Sequence, residues 1–368
     1  MQFNLIDTAE KLQSISEDWQ ALTGHSGPGH YNQAPIWAKS GWAHVASERG
    51  RNLAVIAGYD GNELKLVWPL SISSAGSIKT AQALGPETSE YRDVLVDEAV
   101  DSTKWIQAAY QYLKDSVGVD VLSCPYVRAD SKLNNALPDS SHYDIGVAPY
   151  IDMTEWDSWD SYFASRKKSF RSRNRNLLKK LEQLGEVSFK VVDSAEEARE
   201  LVSWIMQLKR EWTERAGIVN RWFDGDSYEN FLLGLIDESG PGPMFITTLE
   251  LDGKRIAAAL GFYYKGKIES YFGVYDDELR QMAPGRVLDY LQLKWAFENG
   301  AEVFDFRLGN EEYKYKWINQ EMQYFDYRIP LTLKGHLLVK WQHSELRNLA
   351  RNVFTLMPES LRQRLKPV

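Results

Sequence analysis

Cysteine is nearly absent from this sequence: Cys124 is the single one among 368 residues. One thiol excludes an internal disulfide framework and every zinc site built from several cysteines of one chain. Histidine is scarce as well. The six, at positions 25, 30, 44, 142, 336 and 343, form no HExxH or HxxxH pair, so no metal is expected. Long apolar runs are missing: the stretch from Ile256 to Tyr264 is about half of the roughly 20 residues a membrane-spanning helix needs. The segment from Met1 to Asp7 carries neither a basic region nor a long apolar one. No signal peptide is therefore expected, and the expected compartment is the cytoplasm. Positive charge is in deficit too. A net charge of -8 argues against bulk electrostatic coating of nucleic acid, and no nucleic-acid partner is expected.

What is present describes a globular chain. Apolar residues make up 43% and aromatic residues 12%, spread along the whole length. The length suits two domains of roughly 150–200 residues each. Charge is unevenly placed. Eight basic residues and no acidic one fall between Arg166 and Lys180, leaving 35 basic against 51 acidic residues elsewhere.

The sequence repeats a design. Leu53 to Leu70 and Met244 to Phe262 are each two β-type runs around an Asp-Gly pair, at Asp60-Gly61 and Asp252-Gly253. Such pairs favour the type I′ turn of a tight hairpin. A third strand-like run follows each hairpin, at 91–96 and at 269–275. Helices are then expected over 102–117 and 286–299, each ending at a glycine, Gly118 or Gly300, before a short strand. The order therefore occurs twice, with a boundary near Ala148-Pro149. One helix is expected from Trp156 to Leu184, with Phe163, Phe170, Leu177, Leu181 and Leu184 on one face. The expected organisation is a first domain over 1–150, a second over 151–335, and an amphipathic helical tail over 336–368. Packing of that tail on the body is its first reading; contact with the inner face of a membrane is the second.

The two copies differ where strand meets helix. The second reads Arg280-Gln-Met-Ala-Pro284-Gly285-Arg286; the first reads Val96-Asp-Glu-Ala-Val-Asp-Ser-Thr103, acidic and without glycine. Free N–H groups and a partial positive charge at a helix N-terminus favour an anion, and glycine allows its close approach. The second copy suits an anion there, whereas the first would repel one.

These features, with Tyr91-x-Asp93, Phe170-Arg171-x-x-x-Arg175, Ile256-Ala257-Ala258 and the closing Asp305-Phe306-x-x-Gly309-x-Glu311-x-Tyr313-Lys314-x-x-Trp317, make the chain resemble the GNAT acyltransferases over about 330 residues. More narrowly, it resembles their CelD-like branch, associated with cellulose and exopolysaccharide biosynthesis. The resemblance implies an α/β fold with mixed sheets: tandem GNAT-like domains, each a mostly antiparallel sheet flanked by helices, the first degenerate. It implies acyl transfer, of acetyl in the first instance, from acetyl-CoA to an amine or hydroxyl of a small-molecule or lipid-linked sugar acceptor. The coenzyme would lie on Gln281, Ala283, Gly285, Arg286 and Val287. The usual GNAT loop has two closely spaced glycines, and here only Gly285 is present. The related Fem-type transferases, which take their acyl group from aminoacyl-tRNA, have a closing motif similar to Gly309, Tyr313-Lys314 and Trp317. A non-catalytic subunit that binds a glycan precursor is the alternative outside enzymology.

Acyl transfer from a thioester needs a neutral nucleophile, an oxyanion stabiliser and an acid for the thiolate. Tyr313, just after the strand that follows the coenzyme helix, is the candidate acid. Asp305 and Glu269 are candidate bases, with ion pairing as the alternative for each. Glu311 and Lys314 are candidates for acceptor binding or support of the site. Arg171 and Arg175 lie on a basic face with Lys168 and Lys179, suited to an acceptor phosphate or acidic headgroups. Trp222 is a candidate acceptor wall. Trp204 and Trp212, eight residues apart, read as core.

Overall fold

The computed structural model describes residues 1–85, 87–138, 142–217, 223 and 225–342, with the backbone alone at 142–144. Trp222 and the tail beyond residue 342 lie outside the described residues.

In the first half, β1 (Gln2–Ile6) leads into α1 (Ala9–Ser14), α2 (Ser16–His25) and α3 (Pro35–Gly41). Next come β2 (Asn52–Leu53), the hairpin of β3 (Val55–Asp60) and β4 (Glu63–Trp68), a further hairpin of β5 (Leu70–Ala75) and β6 (Ile78–Ala83), and β7 (Leu95–Val96). Helix α4 (Ser102–Tyr112), β8 (Val121–Arg128), α5 (Lys132–Ala136) and β9 (His142–Asp152) follow. The second half begins with α6 (Trp159–Ser165), α7 (Lys168–Glu182), β10 (Val187–Val191), α8 (Ala195–Arg215) and α9 (Ser227–Ser239). It continues with β11 (Met244–Leu251), β12 (Lys254–Tyr264), β13 (Lys267–Tyr275), α10 (Pro284–Glu298), β14 (Val303–Asp305), β15 (Gln320–Pro330) and α11 (Leu333–Gln342).

The strands form two sheets. A four-stranded one has the order β1-β3-β4-β7, and an eleven-stranded one has the order β10-β11-β12-β13-β14-β9-β15-β8-β6-β5-β2. Strand β9 crosses residue 150 and lies between β14 and β15, while β15 pairs onward with β8 of the first half. The two halves therefore share one sheet. They also share apolar core: Tyr31 and Trp37 pack with Leu201, Ile205, Phe231 and Leu235 of α8 and α9.

Three local expectations change. The two hairpin turns are not alike. Around β3 and β4, Asp60 pairs with Glu63, so the loop is Gly61-Asn62, with Gly61 at φ 58. Around β11 and β12 the loop is Asp252-Gly253, with both residues at positive φ, as type I′ requires. The helix expected over 156–184 is two helices. Arg166 and Lys167 between them are extended, and Arg166 Nη1 donates to the carbonyls of Trp317 and Ile318 at 3.1 and 2.8 Å, which holds the chain out of the helix. The break lets Phe163 and Phe170 both pack against Trp317.

The third strand of the first half shrinks to Leu95–Val96. Tyr91 is drawn instead toward the other half, and the Asp93 carboxylate accepts from the amides of Val94 and Leu133. Trp212 is a further departure, being exposed rather than core.

Candidate active site

Strands β13 and β14 run parallel but pair over three residues, Lys267 to Glu269 against Val303 to Asp305. Beyond that point β14 ends and β13 continues to Tyr275, so the sheet opens. A cavity of about 680 Å³ occupies the gap. Ser270 to Tyr275 form one wall, and Phe306, Arg307 and Leu308 form another. Ala283, Gly285, Arg286 and Asp289 at the start of α10 form a third, and Glu90, Lys209, Glu311, Tyr313 and Lys314 are among the further lining residues.

Two backbone features shape these walls. Leu260 faces Phe272 and Gly261 faces Ser270, so Tyr271 has no partner on β12 and bulges from the ladder. Glycine at 261 is a condition of that bulge, since a Cβ there would lie 2.5 Å from the carbonyl oxygen of Glu269. At α10, Ala283 is left-handed with φ 50 and ψ 54, Pro284 opens the helix, and no side chain caps it. A Cβ on Gly285 would project beside the cavity, meeting Tyr275 Cδ1 at 3.4 Å. The counterpart helix α4 is capped by its own carboxylate: Lys104 N donates to Asp101 Oδ1 at 3.1 Å. The N-terminus of α4 is thus capped from within, whereas that of α10 has no side-chain cap.

Behind the cavity floor lie two buried carboxylates on neighbouring strands, Glu269 and Asp305, which face one another in register. Each meets partners from the first half. His30 Nδ1 hydrogen-bonds Glu269 Oε1. Burial would raise the Glu269 carboxyl, but the His30 imidazole, then Arg307 and Lys267, hold it down at about 2. Burial in turn lowers His30, against the pull of Glu269. Asp305 accepts from Tyr91 Oη at 3.0 Å, Arg128 Nη1 at 2.9 Å and the backbone N of Arg307 at 2.6 Å. Charges this deeply buried persist when they are paired and hydrogen-bonded.

Tyr313 lines the cavity while remaining half-exposed. Burial, then the Asp289 and Glu311 carboxylates, raise its hold on the phenolic proton. Asp289 is the perturbed acid of the site. Burial pushes its carboxyl up to about 7, against the Arg286 charge and the bond from Gln292 Nε2 at 3.0 Å. Lys314 is buried and spans its own loop, donating to Leu308 O at 2.8 Å and pairing with Glu311 Oε2 at 2.9 Å. Burial lowers Lys209 to about 8, and its ammonium lies 5.4 Å from the Phe272 ring centroid.

The cavity thus brings together Ala283, Gly285, Arg286, Glu311, Tyr313 and Lys314. Glu269 and Asp305 stand behind it. Gln281 is exposed before the helix, and Val287 is buried in the core beneath α10. Arg171 and Arg175 are not on the cavity wall; the Arg175 guanidinium lies over the Phe163 ring at 5.4 Å. The basic segment instead reaches an adjoining cleft of about 550 Å³, lined by Arg166, Lys167 and Arg173 together with Arg286 and Lys316. Sequence reasoning missed Glu90, Lys209, Asp289 and Arg307. It also missed the cross-half partners His30 and Arg128, and these lie 239 and 177 residues from the carboxylates they meet.

Among the described residues, no cluster of three or more His, Cys, Asp or Glu could hold a metal ion, and no helix is long and apolar enough to cross a membrane.

The comparisons agree with this architecture. Residues 168–315 match the acetyltransferase (GNAT) domain family. No curated protein matches this sequence. Among solved structures, that of FemX is similar with a TM-score of 0.60 at 15% identity, covering 89% of this chain and 98% of that one. The C-terminal domain assigned to a lysylphosphatidylglycerol synthetase from Agrobacterium fabrum has a TM-score of 0.56 at 13% identity, covering 90% and 95%. L-PGS from Bacillus licheniformis has a TM-score of 0.54 at 15% identity, also covering 90% and 95%. At these identities the likeness is one of fold. The chain has a tandem GNAT-like fold, with the family match in its second half.

Proposed function

We propose that the chain transfers an acyl group from a coenzyme A thioester to an amine or hydroxyl of an acceptor held in the cavity where β13 and β14 part. The opening of β13 from β14 opposite the uncapped start of α10 carries this reading. The residues fit the donor. The edge of β13 released by β14 offers backbone groups to an amide-containing chain, as any unpaired strand edge does. The Gly285 position admits a diphosphate close to the backbone. When bound, the thioester supplies the activated acyl carbon.

The chain's own residues would then divide the work. The Tyr271 bulge frees a backbone amide at the opened strand, placed to stabilise the carbonyl oxygen as charge develops on it. Tyr313 would protonate the departing thiolate from its place on the cavity wall. Asp289 beside it would pass protons to and from solvent. Lys314 and Glu311 would hold the loop that carries Tyr313. Glu269 and Asp305 would act through position, locking the strands at the point where they part. The CelD-like resemblance supports a sugar-linked acceptor, N- or O-acylated in envelope or extracellular polysaccharide synthesis by a cytoplasmic protein, in places beside the inner membrane.

A second reading has one observation in its favour. Arg166, Lys167, Arg173, Arg286 and Lys316 line one cleft beside the cavity, and such a cleft also suits the acceptor end of an aminoacyl-tRNA. The similar fold of FemX fits that reading. The acidic balance elsewhere favours the smaller donor. The test is release of free thiol from acetyl-CoA by the purified chain, with water as a poor acceptor. Slow release that falls further in Tyr313→Phe supports the coenzyme reading. No release, together with saturable binding of aminoacyl-tRNA at about 150 mM salt, replaces it with the second.

A further inference from the structure

Arg307 lies where β14 ends, two residues after Asp305, in the left-handed region at φ 57. A non-glycine residue held there carries strain, and strain of this kind concentrates at functional sites. Its side chain is 2% exposed, and its guanidinium carbon stacks 3.4 Å from the Tyr271 ring centroid. Nε is 3.1 Å from Glu90 Oε2, an ion pair without the alignment of a hydrogen bond. Neither Nη1 nor Nη2 has a hydrogen-bond partner among the described residues. A guanidinium cannot shed its charge, and a buried donor left unanswered is costly. Both Arg307 and Glu90 line the cavity, which brings this buried, unanswered guanidinium to its wall.

We infer that the Nη pair of Arg307 receives a carboxylate of the acceptor and that Glu90 faces the nucleophile next to it. This deepens the acyl-transfer reading and rests on it. A carboxylate matches the two-pronged guanidinium, and its single charge tolerates the neighbouring Glu90 better than a phosphate dianion would. The acceptor class is an acid with an amine or hydroxyl close to its carboxylate. Amino acids and sugar acids both have that chemistry.

In the reaction, the acceptor N–H or O–H gives its proton to Glu90, and the freed lone pair attacks the thioester carbonyl carbon. The new C–N or C–O bond forms as the C–S bond breaks. The thiolate takes its proton from Tyr313, Glu90 returns its own to solvent, and Tyr313 regains one from solvent by way of Asp289, leaving acylated acceptor, free thiol and the starting protonation states. The bulge at Tyr271, stacked on Arg307, places the carbonyl site beside the carboxylate receptor.

The test uses the full chain in calorimetry and thermal unfolding, with and without acetyl-CoA. The probes are the standard L-amino acids, glucuronate and muramic acid, with glucose and glucosamine as carboxylate-free controls. Saturable binding of at least one acid is expected, and its carboxamide should bind at least about tenfold more weakly. Whether the amino-acid arm or the sugar-acid arm binds identifies the source. Arg307→Lys keeps the charge without the fork and should lose the acid. Glu90→Gln should keep acid binding while lowering kcat and shifting its pH profile. Equal binding of the acid and its carboxamide by the unmutated chain overturns the inference, as does undiminished acid binding by Arg307→Lys. Binding of acetyl-CoA with no acid bound overturns the carboxylate receptor and leaves the donor reading standing. Acid binding without acetyl-CoA binding supports the receptor and removes the donor.

Discussion

Arg128 Nη1 donates to Asp305 Oδ2 at 2.9 Å, joining the last residue of β8 to the last residue of β14 across the two halves. Removing the cation leaves a buried carboxylate short of its countercharge. Arg128→Met should therefore cost about 3–5 kcal/mol in urea unfolding. Asp305→Asn should cost less, because Arg128 keeps its paired bonds to Asp130 at 2.9 and 3.0 Å. Equal losses in the two variants would mean that the cross-half pair is not what holds this corner.

Gly285→Val separates binding from folding. The first added carbon meets Tyr275 at ordinary contact distance, so the melting temperature should barely move. The branched side chain takes the space beside the start of α10, and acetyl-CoA affinity should fall by at least about tenfold, a change of some 1.4 kcal/mol. Retained affinity would place the donor elsewhere.

The pH dependence of stability has a defined sign at Asp289. Its folded carboxyl titrates at about 7, above the ~3.9 of an unfolded aspartate. The folded state binds this proton more tightly, so the group's contribution is fully present below about pH 4 and is lost as pH rises through about 7. Asp289→Asn removes that loss. Its melting temperature relative to the unmutated chain should rise between about pH 5 and pH 8, read by differential scanning calorimetry. A difference that stays flat or falls over this range would contradict the assignment.

The fold was legible where local pattern decides it. The hairpin at Asp252-Gly253, and the helical stretches that end before left-handed Gly118 and Gly300, the first continuing past α4 through residues 113–117, follow from backbone chemistry within a few residues. The opening of the sheet was not legible, because it depends on β14 stopping at Asp305, whose carboxylate is met there by Tyr91 and Arg128 from distant segments. The site divides in the same way. Gly285 and Tyr313 announce themselves by their places in a motif. His30, Tyr91 and Arg128 are ordinary residues of a half with no anion loop, and they gain meaning when the shared sheet sets them against Glu269 and Asp305. Arg307 sat in plain view beside Asp305, but its unanswered donors are a property of burial, which sequence does not display.

The basic segment makes a spatial prediction. Arg173 and Lys316 line the cleft beside the cavity, whereas Arg171 and Arg175 do not. Arg173→Gln with Lys316→Gln should raise the donor KM and flatten its dependence on ionic strength, since screening acts on the charges that meet the donor. Arg171→Gln with Arg175→Gln should leave both nearly unchanged. The reverse ranking, measured in initial-rate kinetics across a salt series, would move the anion contact to the other face of α7.

Amide hydrogen exchange with and without acetyl-CoA locates the donor on the chain without requiring an acceptor. Binding should slow exchange in three segments together: 270–275 on the opened strand, 285–289 at the start of α10, and 306–308 beyond β14. The corresponding stretch of the first half, 95–105, should be unaffected, since Asp101 already caps α4. Protection confined to the first half, or no protection at saturating acetyl-CoA, would contradict the assignment of this cavity to an acyl-coenzyme donor.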